Sequence, residues 1–358
     1  MADVLNGDLL RIARQYRGFN QKDLAARLNV EPSTVSRAEN GIVQPSDGLV
    51  DKTAEVLQFP KSFFSQPDRI YGLPVSVHPM WRKKAAVTQR ESDQFLAGIN
   101  IRILHLRRLL RALDFSPKLP LPRFEVDDFE GDIEQIAANV RRMWLLPSGP
   151  IRNLTAAVET AGIFVFHIDL DHTDIDGVTI GAPDLPPCVF LNKNLPGDRM
   201  RFTLAHELAH IALHRFPSEH MEDEANHFAG ALLLPKNDIH NEFVGRKVDL
   251  RFLARMKPIW RTSMQNILYR ASKLGYVTAT QSQYLWRQFN YHKMRLREPP
   301  ELDVEVEAPT LVPMLIDLHM RKLGYSVNDM QTMLCMEMPD LKHLYGIKAS
   351  GPTLRVVS

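Results

Sequence analysis

The chain has 358 residues, of which 44% are hydrophobic and 24% charged. That balance belongs to a folded globular protein of two or three domains and excludes a disordered chain. The formal net charge of +2 is too small to argue for nucleic acid from bulk electrostatics alone.

No apolar run approaches the roughly 18–20 residues needed to span a bilayer, so no membrane partner is expected. The opening stretch MADVLNGDLLRIARQYRG lacks the basic, apolar and small-residue succession of a signal peptide, and the expected location is cytoplasmic. Cys188 and Cys335 lie far apart and form no CxxC pair, which leaves them as ordinary small core residues. Charge is unevenly spread. From Arg69 to Arg111 there are nine Lys/Arg against two Asp/Glu, a solvated helix surface or one that faces phosphates, whereas REPPELDVEVEAP near 297–309 is acidic and proline-rich and reads as a linker.

In chain order, residues 8–65 carry short apolar-periodic segments punctuated by Gly18, Asn29 and Gly41, the pattern of a compact bundle of small helices. A basic connector over 69–130 follows, helical from about Thr88 to Leu113 and then broken by the proline-rich FSPKLPLPRFEVDD. A further helix is expected from Asp132 to Trp144. The period then changes to the β-branched and aromatic runs GIFVFHIDL and PCVFLNKN, which suit strands of a small sheet. RFTLAHELAHIALHRF and EDEANHFAGALLLP have helical spacing, the second ended by Pro235, and WRTSMQNILYRASKLGYV is a helix closed by Gly275. The C-terminal stretch, 310–358, holds about three helices. The methionines of its NDMQTMLCMEM fall near helical spacing and are core residues rather than a sulfur-rich metal site. The fold class is therefore mostly α with a small sheet (α+β), in four segments: 1–68, 69–130, 131–298 and 310–358.

Within the first segment, FNQKDLAARLNVEPSTVSRAENG predicts a helix over Gln21–Leu28, a turn at Asn29–Glu31 and a second helix from Pro32 to about Asn40. Two helices joined by a three-residue turn are the minimum that can seat one of them in a major groove. Pro32 suits the first helical turn, where its missing N–H costs nothing. From Gln21, Ala25 and Glu39-Asn40-Gly41, the segment 7–62 resembles the Cro/CI (XRE) type of helix-turn-helix regulator. The resemblance implies a five-helix domain that binds double-stranded operator DNA as a homodimer. It places Pro32, Ser33, Thr34 and Arg37 towards the groove and Gln21 and Asn40 near phosphates. Arg37 is the best candidate for a bidentate contact with guanine.

The second motif is His206-Glu207-Leu208-Ala209-His210, an HExxH. Residues four apart on a helix lie about 40° apart in azimuth, so both imidazoles project from one face and can share a tetrahedral ion. Glu207, one step round, can reach a water without binding the metal. Zinc needs a third protein ligand. A metzincin would have a histidine at position 216, which is Phe216. The next helix offers Glu222, Asp223 and Glu224, and helical phase does not decide among them, although Glu222 lies nearer the apolar face than Glu224.

RFTLAHELAHIALH and EDEANHFAGALLLP, preceded by VFLNKNLPGDR, resemble the ImmA/IrrE family of zinc metallopeptidases from about Trp81 to Pro300. That resemblance implies a zincin-like peptidase domain and a second helix-turn-helix-like element near 250–280. It points to His206, His210 and Glu224 as zinc ligands, with Glu222 in reserve, and to Glu207 as the catalytic base. The implied function is a DNA-binding transcriptional regulator whose zinc-dependent endopeptidase domain cleaves a partner repressor or other regulatory protein. The alternative is a non-proteolytic regulator whose zinc site senses a ligand or partner, in a toxin–antitoxin or phage setting.

Overall fold

A computed structural model describes residues 4–68, 70, 88–170, 175–182, 184–216 and 218–348. The basic cluster Arg82, Lys83 and Lys84 of the connector lies outside them. The chain is mostly helical with one small sheet, and it divides into two compact units. None of the helices among the described residues is long and apolar enough to cross a membrane.

The first unit opens with α1 (Gly7–Tyr16), α2 (Gln21–Leu28), α3 (Pro32–Glu39) and α4 (Asp47–Leu57). Each boundary has a local cause. Asn20 and Asp23 cap α2 reciprocally, and Asn29 ends it in the left-handed region at φ 57°, a conformation that asparagine tolerates. Pro32 occupies the first turn of α3. Gly7 packs α1 against the last carbonyls of α3: a Cβ there would lie 2.5 Å from the oxygens of Ala38 and Glu39. The buried Arg14 guanidinium clamps the Glu39 carboxylate from the other side. Leu9, Leu24, Leu57, Phe63 and Phe64 fill the core among these helices.

The first unit continues with α5 (Gln89–Leu110), which is capped by Thr88 and Glu91 and packs on α1. Residues 116–310 then form the second unit. Its elements are α6 (Ile133–Met143), α7 (Leu154–Thr160), β1 (Phe164–Ile168), β2 (Gly177–Ile180), β3 (Cys188–Asn192), α8 (Gly197–Leu213) and α9 (Met221–Leu233), followed by α10 (Lys236–Phe243), α11 (Leu250–Trp260), α12 (Met264–Lys273) and α13 (Ala279–Tyr291). The strand order is β1-β3-β2, with β1 parallel and β2 antiparallel to β3. β3 is buried throughout, as the central strand of a covered sheet must be. Both runs expected as strands are strands; the short edge strand β2 is an addition.

Helix α8 lies against β2 and β3 on one side and α9 on another, so it is buried along most of its length. This explains why its sequence is apolar nearly all round rather than on one stripe. Arg141 of α6 donates to the Leu232 carbonyl at the end of α9, and Arg270 of α12 donates to the Leu234 carbonyl and pairs with Glu134 of α6. These cationic side chains satisfy the free carbonyls at the C-terminus of α9.

The acidic stretch expected as a linker is a strap docked on the second unit by buried carboxylates. Glu298 accepts from Lys257 Nζ at 2.8 Å and from the Met264 and Gln265 amides that open α12. Glu307 pairs with the buried Arg201 of α8 and accepts from the Thr155 amide. Gly197 lets the strap cross the start of α8, where a Cβ would collide with the Val304 carbonyl. Beyond it come α14 (Leu311–Asp317), α15 (Val327–Leu334) and α16 (Met338–Tyr345), which return to the first unit. Tyr345 Oη meets His105 Nδ1 of α5 at 2.8 Å, and Asp340 pairs with Arg17. Cys188 and Cys335 are buried free thiols.

Candidate metal centre and helix-turn-helix face

His206 and His210 project from one face of α8, with their Nε2 atoms 3.1 Å apart. Two nitrogens bound to one tetrahedral zinc at ~2.0–2.1 Å each would sit ~3.3 Å from one another. The Glu222 carboxylate on the first turn of α9 closes the cluster. Its Oε2 is 3.4 Å from His206 Nε2 and its Oε1 3.7 Å from His210 Nε2. His206, His210 and Glu222 thus offer three ligand atoms within 4.8 Å of one another. Glu222 Oε1 is buried with no hydrogen-bond partner, which is costly for a carboxylate unless a cation satisfies it. The donor set and its spacing fit zinc. The Glu222 side chain is 31% exposed against 6% for His210, so the cluster opens towards solvent on the glutamate side.

Neighbouring groups hydrogen-bond to these side chains. Asn226, four residues after Glu222 on the same face of α9, places Oδ1 3.1 Å from His206 Nδ1. His210 Nδ1 faces His214 Nδ1 at 2.9 Å, and His214 Nε2 lies 3.0 Å from Glu224 Oε2. Glu224, towards which the resemblance pointed, therefore sits on His214, whereas the reserve residue Glu222 stands with the two histidines.

Glu207, the next residue on α8, lies under the sheet edge formed by β2. Thr179 of β2 donates its hydroxyl to Glu207 Oε2 at 2.7 Å. Burial raises the Glu207 carboxyl above the usual carboxylate range, against the opposing pull of His206 and the Thr179 hydroxyl. Burial lowers His206, but its hydrogen bond to Glu222 and the charges of Glu207 and Glu222 outweigh that and leave it raised. Burial and then the neighbouring His206 push His210 down, and burial does the same to His214. The cluster thus holds one imidazole that favours a positive charge beside one that resists it.

In the first unit, Pro32, Ser33 and Arg37 are exposed along the outer face of α3, with Thr34 half-buried beside them. Asn40 is exposed, its amide donating to the Ser36 carbonyl. Gln21 is half-buried and donates to Glu39 Oε2 at 2.8 Å, which ties the start of α2 to the end of α3. The four residues assigned to the groove share one helix; Gln21 and Asn40 flank its far end.

Two residues that contact the candidate cluster and Glu207, Asn226 and Thr179, escaped the reading of the sequence, which also held Glu222 only in reserve. The spacing Glu222-x-x-x-Asn226 is visible in the sequence and puts both on one helical face. Thr179 carries no local signal, since its role arises from β2 crossing α8.

Residues 158–272 match the family described as the IrrE N-terminal-like domain of peptidase family M78, and residues 7–62 match a helix-turn-helix domain family. No curated protein matches the chain. The first match spans the strands, both helices of the cluster and α12, and the second spans α1 to α4. The chain joins an N-terminal helix-turn-helix domain of the XRE type to an IrrE/ImmA-like domain of the M78 peptidase family.

Proposed function

We propose that the protein is a DNA-binding transcriptional regulator that carries a zinc-dependent endopeptidase and cleaves a regulatory protein, a partner repressor being the substrate class that suits such a pairing of domains. The observation that carries this reading is the convergence of His206, His210 and Glu222 beside a buried, hydrogen-bonded Glu207.

In this reading His206, His210 and Glu222 hold the ion. Zinc bound there supplies Lewis-acid polarisation of a peptide carbonyl and makes water a stronger acid. Glu207 takes the proton from the attacking water and returns it to the leaving amine. Its raised pKa suits both halves of that task, because a base works best when its pKa lies near the working pH. The Thr179 hydroxyl keeps the carboxylate turned in one direction while its other oxygen stays free to accept. Cys188 is not placed to serve as a nucleophile: it is fully buried, and burial pushes its thiol far up.

The first unit supplies the address. With the outer face of α3 exposed, Pro32, Ser33, Thr34 and Arg37 read base edges, and Gln21 and Asn40 flank the phosphates. One such helix reads only a few base pairs, so a homodimer on a two-fold operator is the working form.

The test compares wild type with Glu207→Gln. Both are assayed for bound zinc and incubated with the repressors encoded beside the gene. Equal zinc in the two, with cleavage by wild type alone, is the expected result. Zinc in both with every candidate and a broad peptide library left intact would overturn the peptidase and favour a zinc-holding sensor.

A further inference from the structure

We propose that His214 and Glu224 form a positioning relay that fixes His210 in its metal-binding tautomer. The proposal rests on His206, His210 and Glu222 as the metal ligands. Its basis is a chain of contacts: Glu224 Oε2 to His214 Nε2 at 3.0 Å, then His214 Nδ1 to His210 Nδ1 at 2.9 Å, with His210 Nε2 at the far end facing the cluster.

The direction of each bond follows from what the groups can do. An ionised carboxylate only accepts, so His214 Nε2 carries a hydrogen and donates it to Glu224. A neutral His214 protonated there presents a lone pair at Nδ1. His210 must then donate from its own Nδ1, which leaves the Nε2 lone pair of His210 pointing into the cluster. Asn226 Oδ1, also an acceptor, does the same for His206 by a separate route.

The relay has a structural seat. His214 is the C-terminal cap of α8, where the backbone leaves the helix at φ −110° and ψ 95°. Its side chain is only 4% exposed, so the ring cannot trade its partners for water. Glu224 adds negative charge behind two rings, which strengthens His210 as a donor.

The test has two parts. In the full-length metal-free protein at neutral pH, long-range ¹⁵N–¹H spectra should show His210 protonated at Nδ1 and His214 at Nε2. His210 protonated at Nε2 overturns the relay, whatever the variants do. In chelator competition, His214→Phe should bind zinc ~10–100-fold more weakly, the usual loss when a partner of a ligating histidine is removed. His214→Gln, which can accept from His210 and donate to Glu224, should recover most of that loss. Unchanged affinity in His214→Phe overturns the relay while leaving the metal reading intact. Loss of zinc stoichiometry in Glu224→Ala as complete as in His210→Ala overturns it too, since Glu224 would then be a ligand. A wild-type chain that takes up no zinc removes the metal reading and the relay together.

Discussion

Asn226 Oδ1 lies 3.1 Å from His206 Nδ1, and this contact joins α8 to α9 beside the candidate metal cluster of His206, His210 and Glu222. A carboxamide oxygen can only accept, so His206 donates to it from Nδ1, and Nε2 is the nitrogen that a bound zinc would take. Replacing Asn226 with Leu should weaken zinc binding by ~10–100-fold, while Asn226→Asp, which keeps the acceptor, should preserve it. Chelator competition measures both. Equal affinities for Asn226→Leu and wild type would show that the contact positions nothing.

Thr179 gives a pH prediction. Its hydroxyl donates to Glu207 Oε2 and is one of the influences that lower the Glu207 pKa against the dominant effect of burial. Thr179→Val removes the donor and keeps the shape, so the Glu207 pKa should rise further. The acid limb of kcat/KM reports deprotonation of the base in the free enzyme. That limb should therefore move to higher pH in the variant, with zinc stoichiometry unchanged. A limb that stays in place would detach Thr179 from the base.

Gly177 concerns the same crossing of β2 over α8. A Cβ at this position would come within 2.6 Å of Thr203 Cγ2, 3.0 Å of Leu191 Cδ2 and 3.3 Å of Glu207 Cγ. Gly177→Ala should therefore destabilise the fold by about 1–3 kcal/mol through overpacking. It should also lower turnover more than zinc content, because the displaced neighbour includes the base. Denaturant midpoints and a zinc assay on the same preparation check this; full stability with full turnover would contradict it.

Glu134 ties α6 to α12 and α9, accepting from Arg270 at 2.6 Å and meeting His227 Nε2 at 3.0 Å. Burial pushes its carboxyl up, but the hydrogen bonds from Arg270 and His227 and their charges win, and the pKa falls from 4.5 to about 2. A depressed carboxylate contributes stability that is fully present above pH 4.5 and is lost as pH falls towards 2. Because the group is partly exposed, solvent screening leaves a contribution on the order of 1–2 kcal/mol. Glu134→Gln should be less stable than wild type at pH 7, and urea midpoints of the two should converge as pH falls from 4.5 towards 2. A gap independent of pH would contradict the ion pair.

For the helix-turn-helix face the test is Arg37→Ala on an operator selected by the wild-type protein from random DNA. Affinity should fall by ~1–3 kcal/mol and specificity should relax at one base pair in each half-site, as for the loss of a bidentate guanine contact. Unchanged affinity would remove Arg37 from the groove.

Local features were the legible ones. The turn Asn29–Glu31 between α2 and α3, the HExxH on α8 and the strands β1 and β3 all follow from contacts or periodicities within a few residues. The choice between Glu222 and Glu224 was not legible, because it depends on how α9 is rotated against α8, and the sequence phase of α9 tolerates either. β2 is four residues long and too short for alternation to register. The strap over 298–310 looked like a linker because its carboxylates find their partners far along the chain: Glu298 at Lys257 and Glu307 at Arg201 and Thr155. An acidic, proline-rich composition describes solvated chain unless buried cations are waiting for it. Arg201 and Lys257 are such cations, set in apolar helices where their partners could not be read.

The most direct measurement is the zinc content of purified wild-type protein, Glu222→Ala and Glu224→Gln, each taken to the same free zinc concentration and checked for native helical signal. One zinc per chain is expected in wild type and in Glu224→Gln, and its loss in Glu222→Ala. Stoichiometric zinc in Glu222→Ala together with its loss in Glu224→Gln would contradict the assignment of the metal centre.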